Sequence, residues 1–253
     1  MPTASALRIE IEHALERRFP AALTPMQQMD YETAACGIRA VDELLGDGLP
    51  VGAISEITGP ESSGRTSLAL SFLAQRTKEG QVCAWVDVND TLDPESAAAS
   101  GVSLRQLLWV RCADAHKAAN GKPWARLDQA LKAVDLIVQA AGFAAIVLDL
   151  GSTAAEHANR IPLATWFRFR QGAQRSQTSL IVLGRNAYAQ SSAALVLECE
   201  REDDEATQAN ILSGCRFIVR RERQRISQGF SVNRKPPAST WSARSSWDAE
   251  RSA

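Results

Sequence analysis

The residues best placed to do chemistry lie in one run, Gly59-Pro60-Glu61-Ser62-Ser63-Gly64-Arg65-Thr66. Its spacing fits GxxxxG[K][ST] at every fixed position except the lysine, where Arg65 stands. In such a loop the backbone N–H groups wrap phosphates, and the N-terminus of the following helix adds partial positive charge. The glycines permit positive φ and close approach of the backbone. Gly59 to Ser67 are therefore the candidate nucleotide-binding residues, with ATP as the expected ligand and the Thr66 hydroxyl as a ligand of Mg²⁺. Arg65 alters the chemistry: a lysine ammonium is a compact point charge, whereas guanidinium is planar and bulkier. Arginine still pairs with phosphate oxygens, so binding follows from the pattern. Fast hydrolysis, which needs a group placed for the transferring phosphate, does not.

A second acidic element is Ile146-Val147-Leu148-Asp149. An aspartate ending an apolar parallel strand beside a P-loop orients the Mg²⁺ water shell. The plainer alternative is an exposed aspartate at a strand end.

These groups need a strand before the loop and a helix after it. Ala53–Thr58 reads as that strand, and Leu68, Leu70, Phe72 and Leu73 as the apolar positions of the helix. Further strands are expected at Val82–Val86, Leu107–Val110, Ala145–Leu148, Leu180–Leu183 and Leu195–Leu197. Helices are expected at Ala40–Leu45, over 123–141 and at Pro162–Arg175, with Gly142 ending the second. Apolar strands alternating with helices specify an α/β fold with a mostly parallel twisted sheet covered on both faces. Cys215–Arg220 and Gly229–Asn233 read as a short antiparallel hairpin at the sheet edge. Leu7, Ile11 and Leu15 form one apolar stripe of a short helix over 5–18, too short to be stable without a groove to lie in. The expected organisation is an N-terminal helix and linker (1–36), a core (37–234) and a disordered tail (235–253) rich in Ser, Ala, Arg and Pro.

Composition narrows the class further. The chain has 253 residues, 45% apolar and 23% charged, with a net charge of −1. Those values suit a soluble globular domain and advertise no global affinity for nucleic acid. No apolar run approaches a membrane span, and the charged N-terminus does not read as a signal peptide. The five cysteines are scattered without a CxxC pair and read as buried thiols in a reducing cytosol.

The run Gly37-Ile-Arg-Ala-Val-Asp-Glu-Leu-Leu-Gly46, the loop GPESSG at 59–64, and Val86-Asp-Val-Asn-Asp-Thr-Leu-Asp-Pro94 together resemble the bacterial RecA recombinases. The resemblance covers about residues 5–233 and is strongest over 37–110. It implies a RecA-like P-loop core and a helix at 5–18 that links subunits through Leu7, Ile11 and Leu15. It also implies a contact from Asp93 to the nucleotide base. The departures matter as much. Asn89 stands where the family has its catalytic glutamate, so the base is lost unless Asp87 or Asp90 substitutes. Ser96 replaces an aromatic that packs on adenine. Arg185 replaces a γ-phosphate-sensing glutamine, and both DNA loops, Leu150–Ile161 and Asn186–Ala194, are short.

Among RecA relatives, the shortened ImuA-like proteins are most similar in length and in their altered P-loop. That resemblance implies an accessory factor of damage-induced (SOS) translesion synthesis that binds nucleotide with weak or no hydrolysis. Its implied partners are a Y-family-like polymerase and an error-prone replicative polymerase, with RecA, a second copy and single-stranded DNA as further ones and no membrane. Two other readings stay open, a DNA-dependent ATPase of homologous recombination and an SOS-induced cell-division inhibitor. Arg220, Arg221 and Arg223 lie in a basic cluster that, by resemblance, reaches a neighbouring subunit's nucleotide. The plainer alternative is a solvated edge balanced by the acidic run from Glu198 to Glu205.

Overall fold

The computed structural model describes residues 31–112, 125–206, 212–224 and 236–244. The expected helix over 5–18 and the strand Gly229–Asn233 lie outside these residues. The N-terminal part of the described unit holds β1 (Thr33–Ala34), α1 (Arg39–Leu45) and β2 (Leu49–Pro50), with β1 and β2 pairing antiparallel. Then come β3 (Ile54–Thr58), α2 (Arg65–Lys78), β4 (Cys83–Asp87), α3 (Pro94–Ala99), β5 (Leu107–Arg111) and α4 (Ala125–Ala140). They are followed by β6 (Ala145–Asp149), α5 (Ala155–Ala158), α6 (Leu163–Ser176), β7 (Ser179–Gly184), β8 (Ala193–Ala206), β9 (Leu212–Gln224) and β10 (Ala238–Arg244).

Strands β3 to β10 form an eight-stranded sheet in the order β10-β9-β8-β3-β7-β6-β4-β5. From β8 to β5 every neighbouring pair is parallel, and β8-β9 and β9-β10 are antiparallel. Every residue of β3, β4, β6 and β7 is buried, as expected of strands covered on both faces. Alternation then assigns the two cores. Ile57, Trp85, Val147 and Ile181 pack against Leu68, Phe72 and Leu73 of α2. Val86, Ile146, Leu148 and Val182 face Val134 and Val138 of α4 with Trp166 and Phe169 of α6. Each such side chain contributes roughly 1.5–3 kcal/mol by leaving water, which fixes where the strand ends fall.

Two expectations at the sheet edge are corrected. Cys215–Arg220 lies within β9, which pairs antiparallel with β8 on one side and β10 on the other, and β8 is far longer than Leu195–Leu197. Near its middle exposed Glu198 and Glu200 flank buried Cys199, a period-two pattern that the acidic composition conceals. The segment 235–253, read as a disordered tail, contains β10, whose Trp241 sits opposite Phe217 of β9. The cysteine expectation holds for Cys36, Cys83, Cys112 and Cys199, which are buried, whereas Cys215 is only half-buried. None of the described helices is long and apolar enough to cross a membrane.

Candidate functional site

The loop Gly59–Gly64 connects β3 directly to α2, at the end of the parallel strands where ligands of such sheets bind. Gly59 has φ +142°, and a Cβ there would lie 2.1 Å from the Cys199 carbonyl oxygen. Gly64 has φ +88°, and a Cβ there would lie 2.9 Å from the Phe217 ring. Glycine is needed at both places on two counts, conformation and space. Ser62 also holds a positive φ of 60°, so three of the six loop residues are in the left-handed half of the map.

This shape leaves the first turn of α2 open. Gly64 is the N-cap and supplies no side-chain acceptor. No hydrogen bond among the described residues is donated by the backbone N–H groups from Glu61 to Ser67. A helix start without a cap is a ready anion site. Two side chains add to it: Ser63 Oγ and Arg65 Nη1 are buried without a hydrogen-bond partner. Only 8% of Arg65 is exposed, and burial pulls its guanidinium below the ordinary arginine range, while Asp149 pushes back. The Thr66 side chain is exposed and free to meet a ligand. The cradle therefore fits the phosphates of a nucleotide, with Gly59, Pro60, Glu61, Ser62, Ser63, Gly64, Arg65, Thr66 and Ser67 around it.

Asp149 ends β6 as expected and is itself buried. Burial raises its carboxyl above the ordinary range, against the pull of the Gly151 N–H that it accepts at 2.9 Å. A Cβ built on Gly151 would lie 3.0 Å from Asp149 Oδ1 and 3.5 Å from Arg65 Nη2, which places carboxylate and guanidinium on one small patch. Thr66 and Asp149 are thus the residues that would meet a nucleotide-bound Mg²⁺.

At the neighbouring strand end the acids are committed elsewhere. Asp87 is fully buried and accepts from Thr91 N at 3.0 Å, Leu92 N at 2.9 Å and Trp109 Nε1 at 3.3 Å. Asp90 is held in a two-point ion pair by Arg111, at 2.6 and 2.5 Å. Arg111 in turn stacks 4.9 Å above the Trp109 ring. Asn89 donates Nδ2–H to Thr153 Oγ1 at 3.0 Å. Asp93, expected at the base edge, is the N-cap of α3 and accepts from the Ser96 N–H at 3.0 Å and the Glu95 N–H at 3.3 Å. The Ser96 hydroxyl donates to the same carboxylate, so both its oxygens serve the turn.

The basic cluster also finds partners within the chain. Arg220 pairs with Glu200 of β8, Arg221 donates to the Leu44 carbonyl at 3.0 Å, and Arg223 donates to the Gln190 carbonyl. Leu7, Ile11 and Leu15 lie outside the described residues.

Three features of the site escaped the sequence reading. Phe217 and Trp241, 4.7 Å apart between ring centroids, pack against the loop at Gly64. Glu61 of the loop pairs with Arg185 just past β7. Glu56 of β3 is buried and accepts the Tyr188 and Ala189 N–H groups at 2.5 and 2.8 Å. Only the strand pairings bring these residues together, so no local pattern signals them.

Sheet, loop and uncapped helix define a P-loop α/β fold of the RecA type. The RecA N-terminal domain model matches residues 4–159, more than half of the sequence, and the chain belongs to that family. It is 40% identical to Protein RecA of Crocosphaera subtropica over 122 residues, 48% of this chain and 32% of that protein. Against Protein RecA of a Nostoc species it is 36% identical over 140 residues, 55% of this chain and 36% of the other. The chain thus matches about a third of the length of these relatives. The crystal structure of the RadB recombinase superposes with a TM-score of 0.59 at 15% identity, covering 82% of this chain and 94% of that one. That likeness concerns the fold.

Proposed function

We propose that this protein is a RecA-like accessory factor of damage-induced, error-prone translesion synthesis, binding nucleotide at Gly59–Ser67 without turning it over rapidly. The observation that carries the second half is the state of the acids beside the cradle. A general base must lie within hydrogen-bond reach of the attacking water and be free to take its proton. Asn89 has no basic lone pair to offer, Asp87 is saturated by the turn it holds, and Asp90 is bound to Arg111. The open loop N–H groups and the unpartnered Arg65 Nη1 support the first half. Bound Mg²⁺ would screen the phosphates, with Thr66 and Asp149 as the protein groups nearest to it.

The accessory role rests on that loss of chemistry joined to a retained fold. Its partners would be a Y-family-like polymerase and an error-prone replicative polymerase, with RecA, a second copy or single-stranded DNA as additional ones, and its place the cytoplasm. The helix over 5–18 is the proposed docking element. Calorimetric titration with ATP and a phosphate-release assay on the same preparation, with and without single-stranded DNA, test the biochemical core. Binding without DNA-stimulated release is expected. In cells, deletion of the gene should abolish damage-induced mutagenesis.

A second reading, a DNA-dependent ATPase of homologous recombination, is favoured by the family membership and the intact cradle. It requires phosphate release that rises with DNA and falls on Asp87→Asn or Asp90→Asn.

A further inference from the structure

Strand β10 runs along β9 for its whole length, from Ala238 opposite Arg220 to Arg244 opposite Gly214, without a shift of register. It ends the sheet, and none of the described strands pairs with its other edge. An edge strand has hydrogen bonds on one side only, so its side chains must supply much of what docks it. The sequence Ala-Ser-Thr-Trp-Ser-Ala-Arg offers one large apolar group, Trp241. Its ring lies against that of Phe217, with centroids 4.7 Å apart and planes tilted by 36°.

The same ring is built into the phosphate cradle. Gly64 is the N-cap of α2, with φ +88°. A Cβ placed on it would lie 2.9 Å from the Phe217 ring and 3.1 Å from Trp241 Cζ2. The two rings thus close on one face of the Gly64 backbone and leave it little room to move. Cζ2 is on the side of the indole that carries the nitrogen, so the N–H edge is the one turned to the loop. Nε1 is buried there without a hydrogen-bond partner, as are Ser63 Oγ and Arg65 Nη1 of the residues flanking Gly64. The turn at Gly64 aims the N–H groups from Glu61 to Ser67, the groups that would seat phosphate. One contact therefore does two things: it docks the last strand and it fixes the loop. Two equilibria that share a contact are linked, and each shifts the other by the same factor.

We propose that Trp241 is a positioning residue for the phosphate cradle, and that through it nucleotide binding at Gly59–Ser67 is coupled to the docking of β10. Nucleotide tightens the strand, and the strand tightens the loop. The loop seats phosphates that ATP and ADP share, so the coupling is the same for both. This rests on the reading of Gly59–Ser67 as a nucleotide site and adds a distant segment that responds to it.

The test uses the full chain as wild type, Trp241→Ala, Trp241→Phe and Val138→Ala, the last a cavity in the core on the opposite face of the sheet. Calorimetry gives the affinities for Mg-ATP and Mg-ADP, and thermal melting ranks the stabilities. Trp241→Ala should weaken both nucleotides about tenfold, an ordinary size for coupling between two sites. Trp241→Phe keeps a ring against Gly64 and should restore affinity to within about twofold of wild type. Val138→Ala should lower the melting temperature and leave affinity unchanged. Hydrogen exchange supplies the reciprocal readout: saturating Mg-ATP should slow the amides of Ala238–Arg244 about tenfold in wild type and not in Trp241→Ala. Unchanged affinity in Trp241→Ala, an equal loss in Val138→Ala, or exchange in β10 indifferent to Mg-ATP would overturn the coupling while leaving the nucleotide site standing. Failure of wild type to bind either nucleotide would remove both.

Discussion

Two strand ends on the same edge of the sheet, with β7 and β6 between them, have opposite polar economies. Where β3 meets α2, the helix start is uncapped, the N–H groups from Glu61 to Ser67 lack partners, and Ser63 Oγ and Arg65 Nη1 are buried and unpaired. Where β4 meets α3, every acid is engaged: Asp87 by its own turn, Asp90 by Arg111, and Asp93 by the helix that it caps. Buried polar groups in a folded protein are ordinarily paired, and an unpaired one costs about 1–3 kcal/mol. An end that tolerates several is arranged for something that supplies the missing acceptors. An end with none left over holds itself together and has nothing to lend to a reaction. Within one sheet, one strand end is thus left open to an anion while another is closed on itself.

The sharpest way to break this contrast is Asp87→Ala. The substitution strips the acceptor from the Thr91 and Leu92 N–H groups and from the Trp109 indole. A loss of about 3 kcal/mol in urea denaturation is expected, with nucleotide affinity little changed in whatever fraction stays folded. If stability were untouched and phosphate release disappeared, Asp87 would be a base and the β4 end would be chemical after all.

Gly64→Ala probes the open end. The new methyl meets the Phe217 ring at 2.9 Å and Trp241 at 3.1 Å, on a backbone with φ +88°. About 2 kcal/mol of stability should go with that strain and clash, seen as a lower thermal midpoint. Nucleotide affinity should fall with it, because the same turn aims the N–H groups. Lost stability with unchanged affinity would separate loop geometry from binding.

How much of this was legible beforehand follows from the range of each signal. The cradle is a local feature, eight consecutive residues between a strand and a helix, and its elements fall where the spacing put them. The continuous apolar runs of β4, β6 and β7 likewise announced a two-sided parallel sheet. What was missed depends on pairing at a distance. Trp241 reaches Gly64 only because β10 adds to β9, and seven residues from Ala238 to Arg244 carry that edge despite a composition that suits a solvated segment. The acidic run from Glu198 to Glu205 read only as a counter-charge to the basic edge, because its strand character rests on pairing with β9, as in the Glu200–Arg220 pair. Asp93 was read as a ligand contact, yet Asp-Pro-Glu-Ser is also a helix start, with aspartate as cap and proline in the first turn.

A gain-of-function pair asks whether the two ends can be reconnected. Arg65→Lys restores the compact charge, and Asn89→Glu supplies a carboxylate at the closed end. Either change alone should leave phosphate release near background. Together they should raise it at least about tenfold, or 1.4 kcal/mol in barrier. A full effect from Arg65→Lys alone would mean that a base is already present and that the β4 end is less committed than its hydrogen bonds indicate.

The smallest expected effect concerns the strand beneath the cradle. Glu56 accepts two N–H groups through one oxygen, while its Oε2 is buried without a partner. Burial pushes its carboxyl above the ordinary 4.5, and the two N–H groups and the charge of Arg223 pull it back only in part. Below the unfolded value both states hold the proton, so the group has no pull on stability. As pH rises through 4.5 the unfolded chain releases its proton while the folded chain retains it, and stability declines until the raised folded value is passed. Glu56→Gln keeps an acceptor for both N–H groups and does not titrate. Wild type minus variant stability should therefore be greatest in acid, fall with increasing pH above 4.5, and then level off. Denaturation midpoints across the acidic range measure the difference directly. Parallel curves for the two proteins would mean that the carboxylate is not held apart from water, and that the openness of the cradle end stops at the loop and does not extend into β3.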